Sequence, residues 1–214
     1  VAILKKWSWL GCLWLLVPNG VASGDMTHSE AEPTGSVAAL QTKMVLRDLW
    51  VEHIFWVRNY VFALHSGKKA HIKVSTDEVV ANAKAIAGSL EAFYGKAASD
   101  KMFELLAGHW GAVAAYAKAT KSGSGDGQSG AKKALQDNAR TIADFLGGAN
   151  PHFSADVLFG ALSAHGAHHI LQIEAVFDGD YAKEAKDWAV MRKHMLVIAD
   201  VLVDGLAKQF PDKF

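Results

Sequence analysis

The chain has a single cysteine, so it can form no intramolecular disulfide and no thiolate-rich metal site. Four prolines and nineteen glycines among 214 residues are too few for a collagen-like or low-complexity chain. Neither charge is in excess, since 22 basic residues face 22 acidic ones. That balance excludes a nucleic-acid binder held by bulk positive charge, and it excludes an acidic disordered tail. No run of strand alternation is visible. The apolar run Trp7–Val17 covers only eleven residues, about 16 Å of helix against a hydrocarbon core of about 30 Å. What the chain does have is hydrophobic content of 50%, enough for one well-buried domain. It also has ten histidines, and that excess is the feature to be explained.

The first residues follow the layout of a secretory signal peptide. Lys5 and Lys6 precede the apolar run, Pro18-Asn19-Gly20 breaks it, and Val21-Ala22-Ser23-Gly24 offers small residues for cleavage. Residues 1–23 are therefore expected to be a signal peptide, with a retained anchor as the alternative, and the protein is expected to be extracytoplasmic (periplasmic or secreted). Cleavage there removes Lys5, Lys6 and Cys12 and leaves 20 basic and 22 acidic residues. A cysteine-free chain suits an oxidising compartment. Residues 24–36 are small and polar and are expected to form a flexible leader.

From residue 37 to 214 the pattern predicts one all-α domain, an antiparallel bundle of about six helices with a four-helix core. The first helix is expected over 37–65. The second starts near Ser75, whose spacing to Glu78 matches a capping box, and runs to Tyr94. The third follows a Ser99 cap and reaches Lys121, and Ser122–Gly127 reads as a flexible loop. The fourth covers 129–146 and stops at Gly147-Gly148. The fifth, capped by Ser154, covers 155–177, and the sixth runs from Tyr181 to Gln209 before Pro211. The first and fifth helices are apolar nearly all round, which places them centrally.

The histidines fall on apolar stripes at helical spacing. Leu46, Trp50, His53, Val57 and Leu64 share one stripe, and Met102, Leu106, His109, Val113 and Tyr116 another. On the fifth helix the stripe is Leu158, Leu162, His165, His169, Gln172 and Val176, and on the sixth it is Met191, His194, Ile198 and Val201. Four helices thus each aim an imidazole at the core. A buried imidazole needs a partner for both nitrogens, and one metal ion satisfies a nitrogen of several rings at once. The alternative is that each ring bonds its own oxygen neighbour. His165 and His169, at i and i+4, can chelate from one helix face. Asp48, Glu52, Arg58 and Asn59 on the first helix, with Asp200 on the sixth, are expected to support the ligands. A carboxylate would accept the free N–H of a ligand histidine. The same residues read equally as a buried ion pair of Arg58 with Glu52 or Asp200.

Leu49-Trp50-Val51-Glu52-His53 with Trp56-Val57-Arg58-Asn59-Tyr60 resembles the opening signature of a family of small secreted or lipoprotein-type bacterial helical proteins. The resemblance continues through Phe93-Tyr94-Gly95, His109, Asn138, Ala149-Asn150-Pro151, His165, His194 and Asp200 to Lys208-Gln209-Phe210-Pro211-Asp212-Lys213-Phe214. It implies an exported helical bundle and picks out His53, His109, His165 and His194, one per helix, without implying an activity. Gln172 departs from the acidic residue expected at its position. A shorter stretch, His165-Gly166-Ala167-His168-His169 with Gln172-Ile173, resembles the metal-binding helix of DinB-type bundles and implies a triad of His165, His169 and His53.

The leading expectation is a bundle that binds a transition metal through His53, His109, His165, His169 and His194. Zinc is the first candidate and copper the second, since the donors are imidazole without thiolate. Binding is expected to weaken as the pH falls through the imidazole range. One alternative is a structural or partner-binding bundle with satisfied histidines. Another is a metal-dependent hydrolase with Glu52 or Asp48 as base. No phosphate-cradling glycine loop and no basic stripe for nucleic acid is present.

Overall fold

The computed structural model describes residues 36–214. The expected signal peptide lies outside the described residues, as does the leader except for Ser36. Six long helices run through the described part: α1 (Val37–Ser66), α2 (Lys69–Gly88), α4 (Lys96–Ser122), α5 (Gly125–Ala149), α6 (Ala155–Phe177) and α7 (Tyr181–Gln209). A single turn, α3 (Glu91–Tyr94), precedes α4, and a 3-10 turn (Pro211–Lys213) follows α7. None of the described helices is long and apolar enough to cross a membrane.

Local chemistry sets most of the helix ends. Ser36, Ser124, Ser154 and Asp180 each accept a hydrogen bond from the backbone N–H three residues on, which satisfies an orphan donor of the first turn. Gly67 and Gly123 close α1 and α4 at φ of 71° and 69°. In each case the glycine and the residue after it donate back to the last turn, a Schellman motif that requires the left-handed conformation. The observed boundaries correct four expectations. Ser75 does not cap α2. It is wholly buried within that helix, because the stripe of Ile72, Val79, Ala83 and Ile86 extends the helix back to Lys69. Ser99 likewise lies inside α4, which starts after Gly95. The segment 122–127 is not a free loop, since Ser124 caps α5 and the helix begins at Gly125. Nor do Gly147-Gly148 stop α5, which continues to Ala149.

Three helices form the centre. α1, α4 and α6 pack against one another, while each outer helix lies over the groove between two of them. α2 covers α1 and α4, α5 covers α4 and α6, and α7 covers α1 and α6. The sixth helix of the sequence pattern, with its His194, therefore belongs to the outer layer. The apolar core divides into two clusters. One contains Leu46, Trp50, Met102, Leu106, Leu158, Met191 and Ile198. The other contains Val57, Val61, Val113, Tyr116, Leu135, Ile173 and Val176. Along α1, α4 and α6, the residues between the two clusters are His53, His109, His165 and His169, so a layer of imidazole interrupts the hydrophobic core.

One end of the bundle is tied by polar groups. The buried Asn150 side chain donates to Gly205 O and to the Tyr94 hydroxyl, and Tyr94 donates to Gln209 Oε1. Beside it, the Phe153 ring lies so close to Gly205 that an added Cβ would stand 1.9 Å from Cε1. Gly205→Ala is therefore expected to cost about 1–3 kcal/mol through overpacking. Urea denaturation checks this, and an unchanged midpoint would show that Phe153 does not pack there.

Candidate metal centre

His53 on α1, His109 on α4, and His165 and His169 on α6 each offer one ring nitrogen, and the four nitrogens lie within 4.8 Å of one another. Each residue is midway along an inner helix on its core-facing stripe. α6 supplies two because i and i+4 share a face. All four side chains are buried, none more than 6% exposed. Ring centroids are 5.3–5.9 Å apart between helices and 4.4 Å apart for His165 and His169.

Burial governs the protonation of these rings. Desolvation pushes His53 down to about 3, with a smaller push from His109, and pushes His109 down to about 4. Desolvation first, then the neighbouring imidazoles, hold His165 and His169 well below the ordinary imidazole range. At neutral pH all four rings are neutral, so each carries one N–H and one lone pair. His165 Nε2 and His169 Nε2 are 3.1 Å apart, and one donates to the other. Among the described residues, both nitrogens of His53, His109 Nε2, His165 Nδ1 and His169 Nδ1 have no protein partner. Each such group costs about 1–3 kcal/mol if left unsatisfied.

The donor set fits a metal ion. Nitrogens at 2.0–2.1 Å around a tetrahedral ion are about 3.3 Å apart. The His165–His169 pair, at 3.1 Å, is already close to that spacing, and all four nitrogens lie within 4.8 Å of one another. The group contains imidazole and neither thiolate nor carboxylate, which suits zinc, copper, iron or nickel. Beside the rings is a cavity of about 30 Å³, lined by His53, His109, His165 and apolar side chains such as Trp50, Met102 and Leu106. It has room for about one or two waters.

The other expected site residues lie elsewhere. His194 stays outside the cluster, and its Nε2 bonds Ala161 O at 2.9 Å. It is thus a histidine with its own oxygen partner, because α7 lies one layer out. Asp48 and Glu52 are exposed. Glu52 accepts from Trp56 Nε1 and Asn82 Nδ2, not from His53, since consecutive helix residues point about 100° apart. Asn59 donates back to Phe55 O. Asp200 forms a two-pronged pair with Arg47 on the surface.

The expected ion pair of Arg58 with Glu52 or Asp200 is corrected to one with Glu184. Arg58 Nε and Nη2 reach the two Glu184 oxygens, each at 2.6 Å, and Gln172 Nε2 donates to Glu184 at 2.9 Å. Glu184 is buried, 1% exposed, so an acidic group does meet residue 172, but it comes from α7. Its signal was legible, because the α7 stripe of Ile198, Met195, Met191 and Trp188 reaches Glu184 when carried back one more turn. Removing its partner strands a buried carboxylate. Arg58→Met is expected to lose about 3–5 kcal/mol, and Arg58→Met with Glu184→Gln to regain much of it. Equal losses in the single and double variants, measured by urea denaturation, would contradict the pairing.

No family model, curated protein or solved structure matches the chain.

Proposed function

We propose that this protein is an extracytoplasmic helical bundle that binds one transition-metal ion through His53, His109, His165 and His169. One observation carries the reading: four imidazoles from three inner helices converge while five of their buried nitrogens lack a partner among the described residues. A protein that needed histidines only for packing would give each ring its own oxygen, as His194 has. An ion bound at the centre repays the desolvation of all four lone pairs together. The amino-terminal pattern of lysines, apolar run and small residues, followed by a cysteine-free sequence, supports an extracytoplasmic site of action.

Zinc is the first candidate because it accepts tetrahedral imidazole ligation without redox demands. Copper is the second: the cage is neutral, and a singly charged cuprous ion brings less uncompensated charge into an apolar core than a divalent one. Hydrolysis would need an open coordination position and a nearby base. Four ligands close a tetrahedron, and Asp48 and Glu52 face solvent, so the geometry favours binding over hydrolysis.

The test is titration of metal-stripped protein with cobalt(II), followed by zinc. The expected result is visible absorption typical of four-coordinate cobalt, saturating at one ion per chain and abolished by zinc. Protein that takes up neither cobalt, zinc nor copper after removal of its metal would end the proposal.

A further inference from the structure

A second pair of imidazoles lies outside the cage, in the seam between α6 and α7. The His168 and His194 rings have centroids 5.4 Å apart, and both residues are half-buried. His194 Nε2 faces a carbonyl, Ala161 O. A carbonyl only accepts, so Nε2 carries the proton and Nδ1 keeps the lone pair. His194 is thereby fixed in a tautomer able to ligate through Nδ1.

This pair adjoins the cage. Ala161 is one turn before His165 on α6, and His168 directly precedes His169. Ala161, whose carbonyl meets His194, lines the same cavity as His53, His109 and His165, as does Ile198 one turn on from His194, so one residue separates the outer pair from the space beside the cage. The charge of His194 bears on His165 and that of His168 on His169, in keeping with this closeness. Asp187, on the same stretch of α7, acts on His168 and is held by Lys183 at 2.6 Å.

An ion bound for the cage must exchange a water shell for four imidazoles across an apolar layer. Losing the whole shell in one step is costly. A surface ligand pair replaces part of it first and holds the ion at high local concentration beside the cavity.

We propose that His168 and His194 form a loading site that captures a zinc ion from solvent and passes it to the buried cage; this rests on the metal-binding reading above. The pair governs the rate of uptake and leaves the final occupancy to the cage.

The experiment is stopped-flow uptake of cobalt(II) chloride by the metal-stripped full chain, with cobalt absorption as the signal. The variant is His168→Gln with His194→Gln, in which the amide at 194 can still donate to Ala161 O. Uptake is expected to slow by about tenfold or more, with unchanged stoichiometry and melting temperature. His65→Gln with His152→Gln, two exposed histidines, should load at the wild-type rate. Wild-type uptake rates in the 168/194 variant would overturn the loading site while leaving the cage intact. A 168/194 variant with reduced final stoichiometry would also overturn it, since the pair would then be a ligand of the final site. Wild-type protein that binds no cobalt at equilibrium would overturn the cage and the loading site together.

Discussion

A His53→Leu variant will unfold at a higher denaturant concentration than the wild type in EDTA, and saturating zinc will raise its midpoint by much less. The two effects have separate causes. Without metal, both His53 nitrogens are buried with no partner among the described residues, and replacing them by an apolar side chain of similar size removes a desolvation cost of about 1–3 kcal/mol for each. With metal, that ring is one of four ligands. Folding energies of about 10–16 kcal/mol for structural zinc, shared among four ligands, make each worth about a hundredfold in affinity. An ion at a thousand times its Kd stabilises the fold by about 4 kcal/mol, and the variant forfeits most of that. His169→Leu should gain less in EDTA, because it deprives His165 Nε2 of its only partner. An unchanged zinc shift in His53→Leu would remove that residue from the ligand set. A lower EDTA midpoint would mean that the ring has partners in solution that offset its burial.

This opposition between apo stability and metal affinity follows from where the imidazoles stand. A layer of four neutral rings between two apolar clusters is a poor way to build a stable core, since leucine would serve better at every position. Retaining them makes physical sense only if something occupies the space between them, and their nitrogens specify what kind of ligand that is.

Sequence periodicity reveals which face of a helix a residue occupies, and that was enough to place His53, His109, His165 and His169 in the core. It does not reveal which layer a helix belongs to. His194 is on the inward stripe of α7, but α7 lies over the groove between α1 and α6, and its ring meets a carbonyl of α6 before it reaches the centre. Adjacency in sequence also misled. Glu52 neighbours His53 in the chain and points away from it on the helix. The caps at Ser154 and Asp180 were readable because the apolar stripe begins right after them. Ser75 carries a similar local signal, and tertiary packing overrides it by continuing the stripe on its amino-terminal side; Ser99 lies inside α4 because the helix starts directly after Gly95, where the backbone turns at φ of 82°. Glu184 was missed because acidic residues in a first turn ordinarily face solvent and interact with the helix dipole, whereas this one faces Arg58.

The metal-free protein is expected to lose stability as the pH falls from 7 to 4.5, well before carboxylates protonate. The sign follows from the direction of the shifts. The folded rings titrate far below the unfolded value of about 6.5, at about 3 for His53 and about 4 for His109, with His165 and His169 also lowered. Between those limits the unfolded chain binds more protons than the native one, so stability falls with pH. Each ring contributes a slope approaching 1.4 kcal/mol per pH unit, about 5 kcal/mol per unit for the four together. Against a total of about 5–15 kcal/mol, about one to three units below the unfolded value suffice to unfold the chain. The partly buried His168, lowered by desolvation, adds to the same window. Asp200, held low by its hydrogen bonds to Arg47, acts only below about pH 4. Zinc changes the route as well as the midpoint. In the folded state the rings stay neutral throughout this range, so protons do not compete for the lone pairs in place. Zinc release should therefore coincide with loss of helical signal, not precede it as the unshifted imidazole range would suggest. Urea titrations in EDTA at half-unit pH intervals, with zinc release followed by a chromogenic chelator in a parallel series, test both statements. A midpoint that is flat from pH 7 to 5 would mean that the rings are not held neutral by burial. Zinc set free near pH 6 from a still helical protein would mean that the ion sits on groups other than these four.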